Sequence, residues 1–275
     1  MGNKLVRNIR LLSAVSALSL LVGCAGVQSG LVLSDLPSDC AKQTASGLIE
    51  QQNELGPLTD THTLTCALAF LRRTQDPVLR GSALGSRVSL HLAEREQDQD
   101  KREKFAIEGV EFAETALAEG GSTDGAVHYY LAANLGLAIR DHITLALGNL
   151  DRLEDEMKQA VALSPDIDDG GPLRLLGALY LKAPAWPNGI GDLDKALELL
   201  EKAVIKHPNH PLNHLFYAQA LWHEDEDSNI IQVKSEFSLG EKLLAEGNWG
   251  YNKQPWKKEF AEFAQEFEGI VSSSK

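Results

Sequence analysis

Leu173-Arg174-Leu175-Leu176-Gly177-Ala178-Leu179-Tyr180 is joined through a turn rich in proline and glycine, 183–191, to Asp192-Leu193-Asp194-Lys195-Ala196-Leu197-Glu198-Leu199-Leu200-Glu201-Lys202-Ala203-Val204-Ile205-Lys206-His207-Pro208. In both halves the apolar residues recur three and four apart, the period of one helix face. Asp192 suits an N-cap and Pro208 ends the second helix. Gly177 carries no side chain where a neighbouring helix must come close, and Tyr180 fills the space beyond it. The pattern predicts two antiparallel helices whose shared apolar stripe needs further neighbours to cover it.

The second half of that pair recurs along the chain. Ala196, Leu200 and Ala203 lead to Pro208; Leu153, Met157 and Ala160 lead to Pro165; Gly109, Ala113 and Ala116 lead to Gly121. All three share one spacing, and Glu236, Gly240 and Leu243 form a degenerate fourth copy. The copies begin at 109, 153, 196 and 236. Helical patterns cover about 38–53, 60–74, 77–96, 100–119, 125–142, 146–163, 171–182, 191–206, 211–224, 229–246 and 254–272, with Gly and Pro clusters between them. Asp76 is a natural cap, and Pro77 and Pro211 suit a first helical turn. Leu173, Leu176, Gly177 and Tyr180, followed by Ala196, Leu200, Ala203 and Pro208, resemble the tetratricopeptide repeat (TPR), with Leu173 in place of its usual tryptophan. The repeats are longer than the usual unit of about 34 residues. The expected class is all-α: stacked antiparallel hairpins forming a TPR-like α-solenoid with a concave face. The expected organisation is an N-terminal helical hairpin over 38–75, irregular repeats over 76–252 and a C-terminal capping helix over 253–275, with Trp256, Phe260, Phe263 and Phe267 on its buried side.

The turn Tyr180-Leu181-Lys182-Ala183-Pro184-Ala185-Trp186-Pro187-Asn188-Gly189-Ile190-Gly191-Asp192 is about seven residues longer than in the standard repeat. Together with Tyr129-Tyr130-Leu131-Ala132-Ala133-Asn134-Leu135-Gly136 upstream, it is similar to the T-component lipoproteins of tripartite ATP-independent periplasmic (TRAP) transporters. The resemblance covers about 76–246. It implies a helical periplasmic lipoprotein that forms a trimer, associates with a substrate-binding P-component, and holds a cavity or channel suited to apolar small molecules. It brings no catalytic residues. Tyr129, Tyr130, Asn134, Lys182, Trp186 and Asn188 are the candidates for ligand or partner contact; packing is the other reading of Trp186 and Tyr130.

The N-terminal end fits an exported protein. Lys4, Arg7 and Arg10 precede a run from Leu11 to Val22 that is apolar apart from three serines, a charged region followed by a core of signal-peptide length. Leu21-Val22-Gly23-Cys24 resembles the lipobox of bacterial lipoproteins, which implies cleavage after 23, a diacylglycerol on the Cys24 sulfur and an acyl chain on its amino group. Such acylation anchors stably. Residues 24–37 then read as a lipidated tether. Ala25, where many lipoproteins retained in the inner membrane carry aspartate, favours the outer membrane. Met1-Gly2 does not mark myristoylation, because Val6 stands where Ser or Thr is wanted. Cys40 and Cys66 are an even pair in an oxidising compartment, candidates for one disulfide or for two separate buried thiols.

The chain carries a formal charge of −13, and −16 once Lys4, Arg7 and Arg10 are removed. Such a body is a poor partner for nucleic acid or an anionic bilayer, so attachment to the membrane falls to the lipid. Pro208 and Pro211 interrupt the histidines at 207, 210 and 214, which argues against zinc. Asp166, Asp168 and Asp169 would place Gly177 at the closing position of an EF-hand loop, which needs glutamate. The acidic run at 224–227 reads as a solvated turn. With no G-x-S-x-G, Walker or G-x-G-x-x-G motif, the expectation is a non-enzymatic binding component without cofactor or metal, auxiliary to uptake of organic solutes. The alternative is an envelope-assembly scaffold gripping peptide segments in its concave groove.

Overall fold

The computed structural model describes residues 40, 44–225 and 228–273, the stretch 267–273 by backbone alone. The segments read as signal peptide and tether, Cys24 included, lie outside the described residues, as does the Phe267 side chain. The described chain folds into thirteen α-helices with no β-strand: α1 (Ala45–Gln51), α2 (Thr61–Leu71), α3 (Pro77–Arg80), α4 (Leu84–Arg95), α5 (Gln99–Ala118), α6 (Gly125–Ile139), α7 (Ile143–Gly148), α8 (Leu150–Leu163), α9 (Gly171–Lys182), α10 (Leu193–Lys206), α11 (Pro211–Glu224), α12 (Ile230–Glu246) and α13 (Lys253–Ser273). No described helix is long and apolar enough to cross a membrane.

Local chemistry sets the helix starts. The side chains of Asp60, Asp76, Asp98, Asp124 and Asp192 each accept from a backbone N–H in the first turn that follows, which satisfies donors the helix cannot. Two expected helices are divided. The stretch 77–96 breaks after α3, where the Ser82 hydroxyl donates to the Leu79 carbonyl at 2.8 Å and accepts from Leu84 N at 3.4 Å. This side chain offers the backbone an alternative to the helical ladder. The stretch 125–142 ends at Ile139, and α7 and α8 occupy the region expected to hold one helix over 146–163. In α7 no residue is buried, so no packing straightens it into its neighbour.

Neighbours in sequence are neighbours in space. Packing runs α4–α5, α5–α6, α6–α8, α8–α9, α9–α10, α10–α11 and α11–α12, while α4, α6, α9 and α11 also touch in succession. These four are called the inner helices below. Small residues set the separation. A Cβ on Gly177 would sit 2.6 Å from Leu200 Cγ, and Leu200 is fully buried. Gly109 on α5 lies in the same way against Asn134 on α6. Asn134 is wholly buried, its amide donating to Ser86 O, Ser86 Oγ and Tyr130 O at 2.9–3.0 Å. Phe260 and Phe263 of α13 close the core at the C-terminal end by packing on Phe237 of α12. At the other end Cys40 and Cys66 are joined in a disulfide, Cα to Cα 5.1 Å.

A second recurrence lies at the fourth residue of the inner helices, which is Arg87, His128, Arg174 or His214. His128 Nε2 meets Ser122 O at 3.0 Å, Arg174 Nη2 donates to Asp168 O at 3.2 Å, and His214 Nε2 meets Pro208 O at 2.7 Å. All three carbonyls lie six residues back. Later helices supply the remaining partner: Glu156 of α8 for His128, Asn213 of α11 for Arg174 and Glu236 of α12 for His214. Arg87 instead reaches Gln52 O at 2.9 Å, in the turn after α1.

The close approach at Gly177 has a measurable sign. Gly177→Ala should lower stability by about 1–3 kcal/mol through overpacking against Leu200, although alanine is the better helix former. Gly136→Ala in α6, with open space around its Cβ, should raise stability by about 0.5–1 kcal/mol. Urea midpoints of the two variants against the wild type check both; two shifts of one sign would contradict the close helix approach.

Candidate ligand cavity

The inner helices converge on a cavity of about 210 Å³. Each contributes residues to its wall. From α4 come Leu90, His91 and Glu94, and from α6 Tyr129 and Ala133; α9 gives Arg174 and Leu175, and the start of α11 gives His210 and Leu212. Asp168 and Asp169 enter from the turn before α9. Trp249, Asn252 and Trp256 close the space from the C-terminal segment.

That closure spans most of the sequence. The Tyr251 hydroxyl donates to Glu94 and lies 3.2 Å from His91 Nδ1, and its ring carries the Arg95 guanidinium 4.2 Å from the centroid. Burial and the Glu94 carboxylate push the Tyr251 phenol well above its usual range, so it stays a donor. Arg95 Nη2 also donates to Gly56 O at 3.1 Å. One side chain of α4 thus holds both the N-terminal turn and the C-terminal segment.

The opposite wall is built on an unusual backbone. Asp168, Asp169 and Gly170 all have positive φ, at 47°, 52° and 83°. Left-handed conformation costs a non-glycine residue on the order of 1 kcal/mol, although aspartate tolerates it better than most. The turn directs two carbonyls at the buried Arg174: Nη1 donates to Asp169 O and Nη2 to Asp168 O, both at 3.2 Å, while Nη1 also donates to Asn213 Oδ1 at 2.8 Å. Asn213 returns its amide to Asp169 O, His207 O and Ala203 O. No ion pair holds Arg174 among the described residues. Burial pulls its guanidinium below the ordinary arginine range, against the opposing pull of Tyr129, Asp168 and Asp169.

His210 packs against two indoles, its ring centroid 5.4 Å from Trp249 and 5.1 Å from Trp256, and the indoles lie 5.5 Å apart. Burial, reinforced by the Arg174 charge, drives the His210 pKa far below 6.5, so the ring is neutral at physiological pH. Its Nδ1 and the Nε2 of His91 are buried with no hydrogen-bond partner.

The residues singled out from the sequence fall in different places. Tyr129 lines the cavity. Tyr130 stands one step behind it, donating to the Asp168 carboxylate at 3.2–3.3 Å, and Asn134 belongs to the α5–α6 contact. Lys182, Trp186 and Asn188 are not on the cavity wall: Lys182 Nζ sits 4.9 Å over the Phe216 ring, and Trp186 is 85% exposed on the long turn. That turn folds on itself through Gly191 N to Pro184 O and a bridge between Ala185 and Gly191, which carries it away from the inner helices. The histidines at 207, 210 and 214 have separate partners, Asp166, the indole pair and Glu236. Cys40, His62 and Cys66 bring ligand-type atoms within 4.8 Å of one another, but both sulfurs are spent in the disulfide. His91, Arg174, His210, Trp249 and Trp256 are the cavity residues that sequence reasoning missed; only the indoles and the histidine cluster gave any signal there. The chain matches no family model and no curated protein.

Neutral, buried His210 fixes a pH dependence. Its folded pKa lies below the unfolded value of 6.5, so below that value the unfolded chain binds a proton the native state refuses. Stability should fall as pH drops through 6.5, by up to about 1.4 kcal/mol per pH unit from this group. His214 acts in the opposite sense: burial lowers its pKa, but Glu236 and the Pro208 carbonyl together raise it, a contribution present at low pH and lost as pH rises. His210→Phe should therefore flatten the acid side of a stability–pH curve measured by urea unfolding from pH 5 to 8. An unchanged slope would contradict the buried neutral ring.

Proposed function

We propose that this chain is a lipid-anchored, periplasm-facing protein of the bacterial cell envelope, built as a TPR-like α-solenoid. It acts as a non-catalytic binding component auxiliary to TRAP-type uptake of organic solutes. The observation that carries the reading is the cavity on the inner helices. Four successive hairpins contribute wall residues from the same one of their two helices, which is how stacked repeats generate a concave binding surface. The sequential packing of the helices and the carbonyl six residues behind the basic side chain in three of them support repetition. The lipobox resemblance at Leu21–Cys24 supports the anchor, and Ala25 favours the outer membrane. The resemblance to the T-component family adds a trimeric assembly and a substrate-binding P-component as partner. Glu94, Tyr129 and Asp168 serve binding or packing in this reading, with no bond-breaking step assigned to them.

Two measurements test it. Cys24→Ser should move the protein from the membrane fraction to the soluble periplasm; retention in the membrane would place the anchor elsewhere. Immobilised mature protein should capture a TRAP substrate-binding protein encoded beside it, and flow-through of that protein would remove the transporter role while leaving the cavity untouched.

A further inference from the structure

We propose that Cys40, His62 and Cys66 form a redox-gated site for a zinc-class cation, loaded when the disulfide is reduced and emptied when it re-forms. None of the three lines the cavity, and the site stands independently of the transporter reading.

The two sulfurs and a ring nitrogen of His62 all lie within 4.8 Å of one another. His62 and Cys66 are four residues apart on α2, so they share one helix face. Two thiolates and an imidazole select Zn(II) over the oxygen-seeking Mg(II) and Ca(II). Three protein donors leave the fourth tetrahedral position to water or to an exogenous ligand.

The helix already sets one edge of the coordination tetrahedron. Zn–S bonds of about 2.3 Å and a Zn–N bond of about 2.0–2.1 Å require an S···N edge of about 3.6 Å and an S···S edge of about 3.8 Å. His62 Nε2 lies 3.7 Å from Cys66 Sγ. Once the covalent bond is cut, the Cys40 sulfur has only to withdraw to the second edge length.

The donors stay together after reduction. Leu48 of α1, Leu64 and Leu68 of α2, and Val88 and Leu92 of α4 are buried in one cluster, so packing as well as the disulfide holds α1 and α2 in place. Cys40 precedes the first residue of α1 by five positions, a leash of at most about 18 Å. A leash this short keeps its thiolate at an effective concentration in the millimolar range. His62 is exposed and Cys40 half-buried, which places the cluster where a small dithiol can reach it.

The gate is a two-electron exchange. A dithiol attacks the disulfide, forms a mixed disulfide, closes its own S–S bond and leaves both cysteines as thiols. Zn(II) displaces one proton from each thiol and takes the two thiolates and the imidazole lone pair. In reverse, a disulfide oxidant accepts two electrons and two protons to become two thiols. The Cys40–Cys66 bond re-forms and the metal leaves. Metal content thereby reads out thiol state.

The test uses the mature chain with Cys24→Ser, which leaves Cys40 and Cys66 as its cysteines. Reduced with a phosphine and desalted without oxygen, it is titrated with Co(II) as an optical probe and then with Zn(II). Co(II) should bind one to one, with thiolate charge-transfer absorption and the strong visible bands of a four-coordinate ion, and Zn(II) should displace it. Zn(II) should raise the melting temperature of the reduced chain and leave the oxidised chain unchanged. His62→Ala, folded by circular dichroism, should hold Zn(II) at least tenfold more weakly against a competing chelator, and Cys40→Ala should abolish the charge-transfer band. Equal affinity in His62→Ala, weak six-coordinate cobalt bands, or no metal uptake by the reduced chain, whether it stays folded or not, would overturn the site. None of these results bears on partner capture or membrane release.

Discussion

The contact at which Leu200 fills the volume that a Cβ on Gly177 would need sets how closely α9 and α10 approach. A hairpin of two amphipathic helices cannot bury its stripe alone, and its stability comes from stacking. Stacking is tight only where one helix offers no side chain and the other offers a rigid one. Gly177 and Leu200 satisfy that condition between α9 and α10, and Gly109 and Asn134 between α5 and α6, with different chemistry. In the second pair the intruding group is polar, and it is tolerated because Ser86 and Tyr130 accept its amide protons.

Once the spacing is fixed, the inner helices bring their first turns to one side, and the basic residue at the fourth position of each becomes a tie. His128, Arg174 and His214 each hold a carbonyl six residues back and a polar side chain ahead. A hydrogen bond of this kind stabilises only modestly when net desolvation is counted, but leaving the buried carbonyl bare costs more. These ties act chiefly as constraints on the connecting turns. At Arg174 the constrained turn adopts left-handed aspartates that form part of the cavity wall, and the turn held by His214 supplies His210 to the same wall.

The all-helical class was legible because Gly, Pro and capping Asp punctuate nearly every boundary, and Gly177 with Leu200 stood out because spacing alone identifies a close helix pair. The break at Ser82 was not legible: a serine hydroxyl replaces a helical bond there, and serine in a sequence gives no sign of which carbonyl it will take. The cavity was half legible. Tyr129 lay within a tyrosine-rich helix, whereas the pairing of Glu94 with Tyr251 joins residues 157 apart, a separation at which periodicity carries no information. The long turn misled for a physical reason. Its prolines and Trp186 mark a stiff and distinctive segment, but its own hydrogen bonds fold it outward, so distinctiveness there reflects loop closure rather than a share in the cavity.

Several departures from an ideal helical protein lie on that one wall. Consecutive left-handed aspartates, a buried guanidinium without an ion pair, a neutral buried histidine and two ring nitrogens without partners all border the same 210 Å³. On the neighbouring helices His128 and His214 each lie 2.6 Å from a carboxylate oxygen, of Glu156 and of Glu236. Leucine or phenylalanine at His210 would fill the space beside the indoles without a desolvation penalty. A left-handed turn and a desolvated histidine on one concave wall are local costs of the kind that gather at functional sites more than in plain packing.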